Sequence, residues 1–212
     1  MNNIYTSEKE KNDGESLPLM ESFYSIQGEG YHQGKAAWFV RLAGCDVGCV
    51  WCDVKESWDS NAYPSRSIID IARPAVQSPA RFVVITGGEP LLYNLDLLTH
   101  NIRSEGKAIH LETSGSHPLT GSWDWICLSP KKFKQPLPEI YNQANELKVV
   151  VYNKTDLPWA DGLAKLTTPG CRLYLQPEWS NRKKVMPLII DHIKKNPQWS
   201  VSLQIHKYMG VR

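Results

Sequence analysis

Apolar positions along the chain fall into short runs separated by polar clusters. Ala36-Ala37-Trp38-Phe39-Val40-Arg41-Leu42 reads as a strand broken once, by Arg41, which faces either solvent or a cavity. Phe82-Val83-Val84-Ile85-Thr86 is a continuous apolar run ending in glycines, the pattern of a buried parallel strand. Further strand runs are expected over 108–111, 125–128, 147–152, 173–175 and 201–205. Between them the spacing changes to helical. Residues 94–105 place Leu95, Leu98 and Ile102 on one face and stop at Gly106, and 181–195 place Val185, Leu188, Ile189 and Ile193 on one face. Shorter helices are expected over 67–76, with Ser67 as cap and Pro74 limiting it, and over 157–166.

Strand, loop and helix alternate, which predicts an α/β fold with a mostly parallel sheet. Ligands in such folds bind beyond the carboxyl ends of the strands. Cys45, Gly88, Thr113, Ser129, Gln176 and His206 each follow a strand, so all six are expected on one rim. The repeats are too few for a closed eight-stranded barrel of about 250 residues. The expected architecture is an incomplete, TIM-like β/α barrel over 19–212, preceded by a disordered tail over 1–18. The stretch Glu21 to Gly30 reads by itself as a turn rich in small residues.

Composition narrows the function classes. The chain has 212 residues, 42% hydrophobic and 22% charged, which suits one globular domain. Its formal net charge is only +2, from 24 basic and 22 acidic residues, so nothing argues for nucleic acid or a membrane surface as partner. No apolar run reaches membrane-spanning length, and the first residues lack the apolar segment of a secretory signal. Three of the five cysteines cluster, which is a poor disulfide framework and fits a reducing cytoplasm.

That cluster is Cys45-x3-Cys49-x2-Cys52, set in Gly44-Cys45-Asp46-Val47-Gly48-Cys49-Val50-Trp51-Cys52-Asp53. One short loop can turn three soft thiolates toward a common point. A tetrahedral zinc or a complete cubane needs four ligands, and no fourth cysteine or histidine lies close by. Three ligands therefore suggest an iron–sulfur cluster with one open iron. A structural zinc loop or a reactive thiol cluster are the other readings that the spacing leaves open.

The three-cysteine spacing with Trp51 before the last cysteine resembles the radical S-adenosylmethionine superfamily. Taken with Ser25-Ile26-Gln27-Gly28-Glu29-Gly30, Phe39-Val40-Arg41-Leu42, Thr86-Gly87-Gly88-Glu89-Pro90, Glu112-Thr113-Ser114-Gly115, Leu128-Ser129-Pro130-Lys131 and Gln204-Ile205-His206-Lys207, the chain resembles the 7-carboxy-7-deazaguanine synthase family from about Glu21 to Arg212. The resemblance implies a compact, incomplete barrel, a homodimer, and a lyase of queuosine and 7-deazapurine biosynthesis. The implied reaction converts 6-carboxy-5,6,7,8-tetrahydropterin to 7-carboxy-7-deazaguanine with loss of ammonia. A flavodoxin- or ferredoxin-type donor would supply the electron. Two alternatives are an activase making a glycyl radical on a partner, which has no need of Gln27, Glu29 and Arg41, and a non-enzymatic zinc or iron–sulfur protein, which has no need of Gly87-Gly88-Glu89-Pro90.

The resemblance implies roles residue by residue. Cys45, Cys49 and Cys52 would hold a 4Fe–4S cluster. Trp51, Asp53, Gly88, Glu89, Gly115, Ser129, Pro130, Lys131 and Gln176 would contact S-adenosylmethionine, with the Gly87–Pro90 turn meeting its amino group. Ile26, Gln27, Gly28, Glu29, Arg41, Thr113, His206 and Arg212 would contact the pterin. Gln27 and Glu29 suit a guanidine-like edge, and the Arg41 fork suits its carboxylate. Where several family members have a threonine that helps hold magnesium, this chain has Val54. A hard cation needs oxygen ligands, so a conventional Mg2+ site is not expected there: either magnesium sits differently, with Asp53 or water, or it is not needed.

Overall fold

The structure, a computed structural model, describes residues 14–212. In chain order its regular elements are β1 (Ser16–Ile26), β2 (Ala36–Leu42), β3 (Ser65–Ser67), α1 (Ile68–Gln77), β4 (Phe82–Gly87), α2 (Asp96–Ser104), β5 (Ala108–Thr113), β6 (Trp125–Leu128), α3 (Pro138–Tyr141), β7 (Glu146–Val151), α4 (Asp156–Ala164), β8 (Arg172–Pro177), α5 (Arg182–Lys195), β9 (Trp199–Val201) and α6 (Ile205–Met209). The strands form one sheet in the order β3-β1-β2-β4-β5-β6-β7-β8-β9. From β2 to β9 every pairing is parallel, whereas β1 runs antiparallel to both β2 and β3. β3 and β9 stand at opposite edges, so the barrel is partial.

Three local expectations are corrected. Residues 1–13 of the expected tail lie outside the described residues, but 16–18 are strand, and Leu17 is fully buried where β1 pairs with β3. The turn expected over 21–30 is strand as far as Ile26, because β1 continues along β2, with Phe23 stacked on Phe39 at 5.2 Å. The strand expected over 201–205 ends at Val201, and Ile205 opens α6. α1 runs through Pro74 to Gln77, with the Ser67 hydroxyl accepting from the Asp70 amide at 3.2 Å.

Side-chain parity sorts the parallel strands. Val40 and Leu42 of β2, Val83 and Ile85 of β4, Ile109 and Leu111 of β5, Leu128 of β6, and Leu147 and Val149 of β7 are fully buried in one core with Ile71, Leu98, Ile102 and Ile189 from the helices. Successive strand residues point to opposite faces. The opposite parity therefore carries Arg41, His110, Glu112, Cys127, Glu146 and Lys148 toward the concave side. At about 25 cal/mol per Å2, the all-apolar outer parity supplies the driving force for folding, and the inner parity is left to carry polar groups.

Candidate active site

A cavity of about 540 Å3 opens at the carboxyl ends of the strands. Its volume lies in the range usual for ligand sites. All six strand-end residues expected on one rim, Cys45, Gly88, Thr113, Ser129, Gln176 and His206, line it. So do Ile26, Gln27, Gly28, Glu29, Arg41, Cys49, Trp51, Cys52, Asp53, Val54, Glu89, Lys131 and Arg212. Gly115 and Pro130 are not among the residues that line it. Gly115 has φ +75°, and a Cβ there would sit 2.5 Å from Leu128 Cδ1 and 3.1 Å from Pro136, so it packs behind the wall. Pro130 is buried.

The cysteine loop leaves β2 through Gly44, whose φ of +97° and approach to the Tyr93 hydroxyl (2.2 Å from a built Cβ) exclude a side chain. The Gly44 and Cys45 amides donate to Ser57 O (2.6 Å) and Trp58 O (3.1 Å). Asp46, next in the loop, is held by Lys134 at 2.5 Å and His117 at 3.0 Å. All three loop cysteines are free of disulfides. Burial pushes the Cys45 and Cys49 thiols up, so it is cation binding that would draw off their protons. Among the described residues no three His, Cys, Asp or Glu side chains converge to chelate one ion. Three free thiols on one short loop are the soft ligand set that an iron–sulfur cluster takes. Trp51 stacks on Tyr152 at 5.8 Å and meets Phe133 edge-on at 5.7 Å.

Gly87 and Gly88 are needed for a reason other than ligand approach. A Cβ on Gly87 would sit 2.1 Å from Leu42 O, and one on Gly88 2.1 Å from Gly44 O and 2.8 Å from Cys45 Cβ. Their backbone is bonded to the loop's root, Gly88 N to Leu42 O (3.0 Å) and Glu89 N to Gly44 O (2.9 Å). The Glu89 carboxylate, only 1% exposed, accepts from Leu91 N (3.0 Å), Thr113 Oγ1 (2.5 Å), Ser114 N (2.8 Å) and Ser114 Oγ (2.5 Å). Four donors engage its four lone-pair sites, so its carboxylate knits β4 to β5 instead of standing free for an ammonium. The Thr113 hydroxyl, in turn, accepts from Gly115 N at 2.9 Å. Lys131 donates to Ser129 O and Oγ (2.5 and 2.9 Å), and burial draws its ammonium below the usual lysine range.

The opposite side of the cavity is an acidic floor around one buried cation. Lys148, 3% exposed, pairs with a Glu29 oxygen and lies 3.6 Å from Glu112 Oε2. Gln27 donates to Glu112 Oε1 at 2.8 Å and accepts from the Glu29 amide at 3.1 Å. Burial alone would raise the Glu29 carboxyl, but the Lys148 ammonium overrides it and lowers it to about 2. Burial alone would lower Lys148, and the surrounding carboxylates overrule that too, so the ammonium stays above its ordinary range. At the rim, Glu21 joins Arg41 Nε (2.8 Å) to Arg212 Nη1 (3.4 Å). His206 fills the space over Gly28, where a Cβ would sit 2.0 Å from Nδ1, and burial lowers its pKa against the pull of Glu29. Gln176 accepts from Ser202 Oγ at 2.7 Å, and Ser202 in turn receives the Gly30 amide at 3.0 Å.

Sequence reasoning assigns no role to Glu21, Glu112, Lys148, Gln204 or Lys207, all of which line the cavity. Lys148 had one available signal: a charged residue between Leu147 and Val149, at the same parity as nothing else charged but Glu146 in its strand. Gln204 and Lys207 converge on Asp53 (3.2 and 2.7 Å), so Asp53 is bound by the C-terminal segment.

The comparisons with known proteins converge. The Radical SAM superfamily model matches residues 40–130. The chain is 50% identical over 198 residues to the 7-carboxy-7-deazaguanine synthase of Flavobacterium psychrophilum, covering 93% of this chain and 94% of that one. It is 47% identical over 200 residues to that of Synechocystis sp., again covering 93% and 94%. It is similar to the crystal structure of QueE from Escherichia coli, with a TM-score of 0.80 and 30% identity over 94% of this chain and 99% of the other. The chain belongs to the 7-carboxy-7-deazaguanine synthase family of the Radical SAM superfamily.

Proposed function

We propose that this protein makes 7-carboxy-7-deazaguanine, the product in the names of its relatives, from 6-carboxy-5,6,7,8-tetrahydropterin with loss of ammonia, as the family resemblance implies. One observation carries the reading. A single cavity has three free cysteines of one loop on one wall and the Gln27–Glu29–Glu112–Lys148 group on the other. Cys45, Cys49 and Cys52 fit a 4Fe–4S cluster, and the wall of Trp51, Gly88, Ser129, Lys131 and Gln176 would hold S-adenosylmethionine. When bound, these groups would supply the hydrogen-abstracting radical chemistry of the superfamily.

The chain's own residues bind and orient. Glu29 is ionised across the neutral range and accepts N–H donors from the ring edge, with Gln27 beside it. Arg41, steadied on its Nε side by Glu21, turns its remaining nitrogens to the pterin carboxylate. Thr113, His206 and Arg212 enclose the ring. Holding the reacting atoms together and excluding water is the protein's share of such a reaction. Val54 offers no oxygen, and Asp53 is already paired with Lys207, so we place no conventional magnesium site here.

A homodimer, a flavodoxin- or ferredoxin-type electron donor and a cytoplasmic setting follow from the family resemblance and belong to the same proposal. No helix of the described residues is long and apolar enough to cross a membrane. The test is anaerobic turnover with reductant, S-adenosylmethionine and the carboxytetrahydropterin. The deazapurine is expected from the iron- and sulfide-loaded protein and not from Cys49→Ala. Zinc without sulfide in the anaerobically purified protein, or deoxyadenosine without deazapurine at saturating pterin, would overturn it.

A further inference from the structure

One side chain joins the two halves of the cavity. The Gln204 amide nitrogen donates to Glu29 Oε1 at 2.9 Å and to Asp53 Oδ2 at 3.2 Å. Its carbonyl oxygen accepts from Lys207 at 3.1 Å, and Lys207 also pairs with Asp53 at 2.7 Å. Glu29 belongs to the acidic floor, and Asp53 directly follows the last cysteine of the loop. An amide has two N–H donors, and here each meets a different carboxylate. No other side chain described here bonds both to the floor and to the loop. Both acceptors are carboxylate oxygens, and hydrogen bonds to carboxylates are the stronger kind. We propose that Gln204 is a positioning residue that couples filling of the floor to the geometry of the cysteine loop, so that each ligand tightens the binding of the other. This rests on the functional reading above for the identity of the two ligands.

Coupling between sites is reciprocal, and typical factors run from about 5- to 150-fold. A substrate edge bonded to Glu29 fixes the carboxylate that Gln204 reads. The amide then holds Asp53, and with it the end of the loop, in one arrangement.

The test is calorimetric titration of S-adenosylmethionine into the cluster-loaded protein, with and without the oxidised 6-carboxypterin as a non-reacting probe. Three forms are compared: wild type, Gln204→Ala and Gln204→Glu, the last keeping the reach and the Lys207 contact but repelling both carboxylates. The wild type is expected to bind S-adenosylmethionine about tenfold more tightly when the pterin is present. In both variants that factor falls to within about twofold of one, while each ligand alone binds within about threefold of wild type. A factor unchanged in the variants, no factor in the wild type, or equal weakening of every titration overturns the coupling role. A wild type that binds S-adenosylmethionine but no pterin at all overturns the substrate reading itself.

Discussion

Replacing Lys148 by methionine tests the acidic floor most directly. Methionine keeps much of the volume and removes the charge, leaving Glu29 and Glu112 side by side without their cation. Removing one member of a buried ion pair costs about 3–5 kcal/mol. The structure gives a second route to the size. Glu29 falls from 4.5 to about 2, and at about 1.4 kcal/mol per unit that is about 3 kcal/mol, an upper figure for one carboxylate. In a chain of this length such a loss lowers Tm by on the order of 10 °C. The pH dependence separates this cause from a packing defect. Glu29 is depressed in the native wild type, so its contribution is present above 4.5 and fades only as pH falls toward about 2. Lys148 is raised, so its contribution is complete below 10.5 and fades only as pH rises through its folded value. Between pH 5 and 8 neither contribution changes. In Lys148→Met, burial, the largest influence on Glu29, is opposed only by the Gln204 hydrogen bond and His206 and raises the carboxyl, so the native state takes up protons and gains stability on acidification. Urea unfolding of cluster-free wild type and variant at pH 8, 7, 6 and 5 reads the gap. It should narrow toward pH 5. A gap below about 1 kcal/mol, or one constant with pH, would refute the charge argument.

Arg41→Lys keeps the Glu21 pair within reach but loses the planar fork, so the pterin KM should rise at least about thirtyfold while substrate-free deoxyadenosine formation persists; an unchanged titration removes Arg41 from the site. Turnover in magnesium-free buffer should lie within about twofold of turnover with added magnesium, since Val54 has no ligand oxygen and Asp53 is engaged by Lys207. A saturable magnesium requirement would show that oxygen ligands come from elsewhere. Gly88→Ala should displace the cysteine loop, because its Cβ meets backbone 2.1 Å away, at a cost of about 1–3 kcal/mol and with faster iron loss to a chelator. Iron retained at the wild-type rate would show that the loop accommodates the methyl group.

The parallel strands were legible because their outer parity is unbroken apolar sequence, and the rim followed because parallel strands put their carboxyl ends together. The cysteine loop was legible from spacing alone. β1 was not: its residues 21–26 mix charge, hydroxyls and aromatics, since one face lines the cavity with Glu21 and Phe23. The 201–205 strand was misplaced because Val201 and Ile205 are apolar for different reasons, one in β9 and one opening α6. Lys148 was hidden in a run whose apolar neighbours dominate any window average. Its significance depends on Glu29, 119 positions away, and no local pattern contains that distance.

The glycines of the motifs have a packing reason of their own. Gly87 and Gly88 suggest a backbone opened for a ligand, yet the atoms that crowd them belong to Leu42, Gly44 and Cys45. Gly28 likewise makes room for His206, and Gly30, at φ +63°, lies where a Cβ would meet the Glu146 carboxylate at 1.9 Å. Each glycine lets its loop lie against a neighbouring segment. Glu89 does the same with hydrogen bonds, tying the end of β4 to Thr113 and Ser114 at the end of β5. A site assembled this way has its cysteine loop fixed by neighbouring backbone before any cofactor arrives. That is the pre-organisation a reactive radical demands, because atoms held in place by covalent chain cost nothing to reposition when the reaction begins. Between the wall around the cysteines and the charge-paired floor lies the C-terminal segment carrying Gln204, His206 and Lys207, in which Gln204 bonds to Glu29 on one side and, with Lys207, to Asp53 on the other.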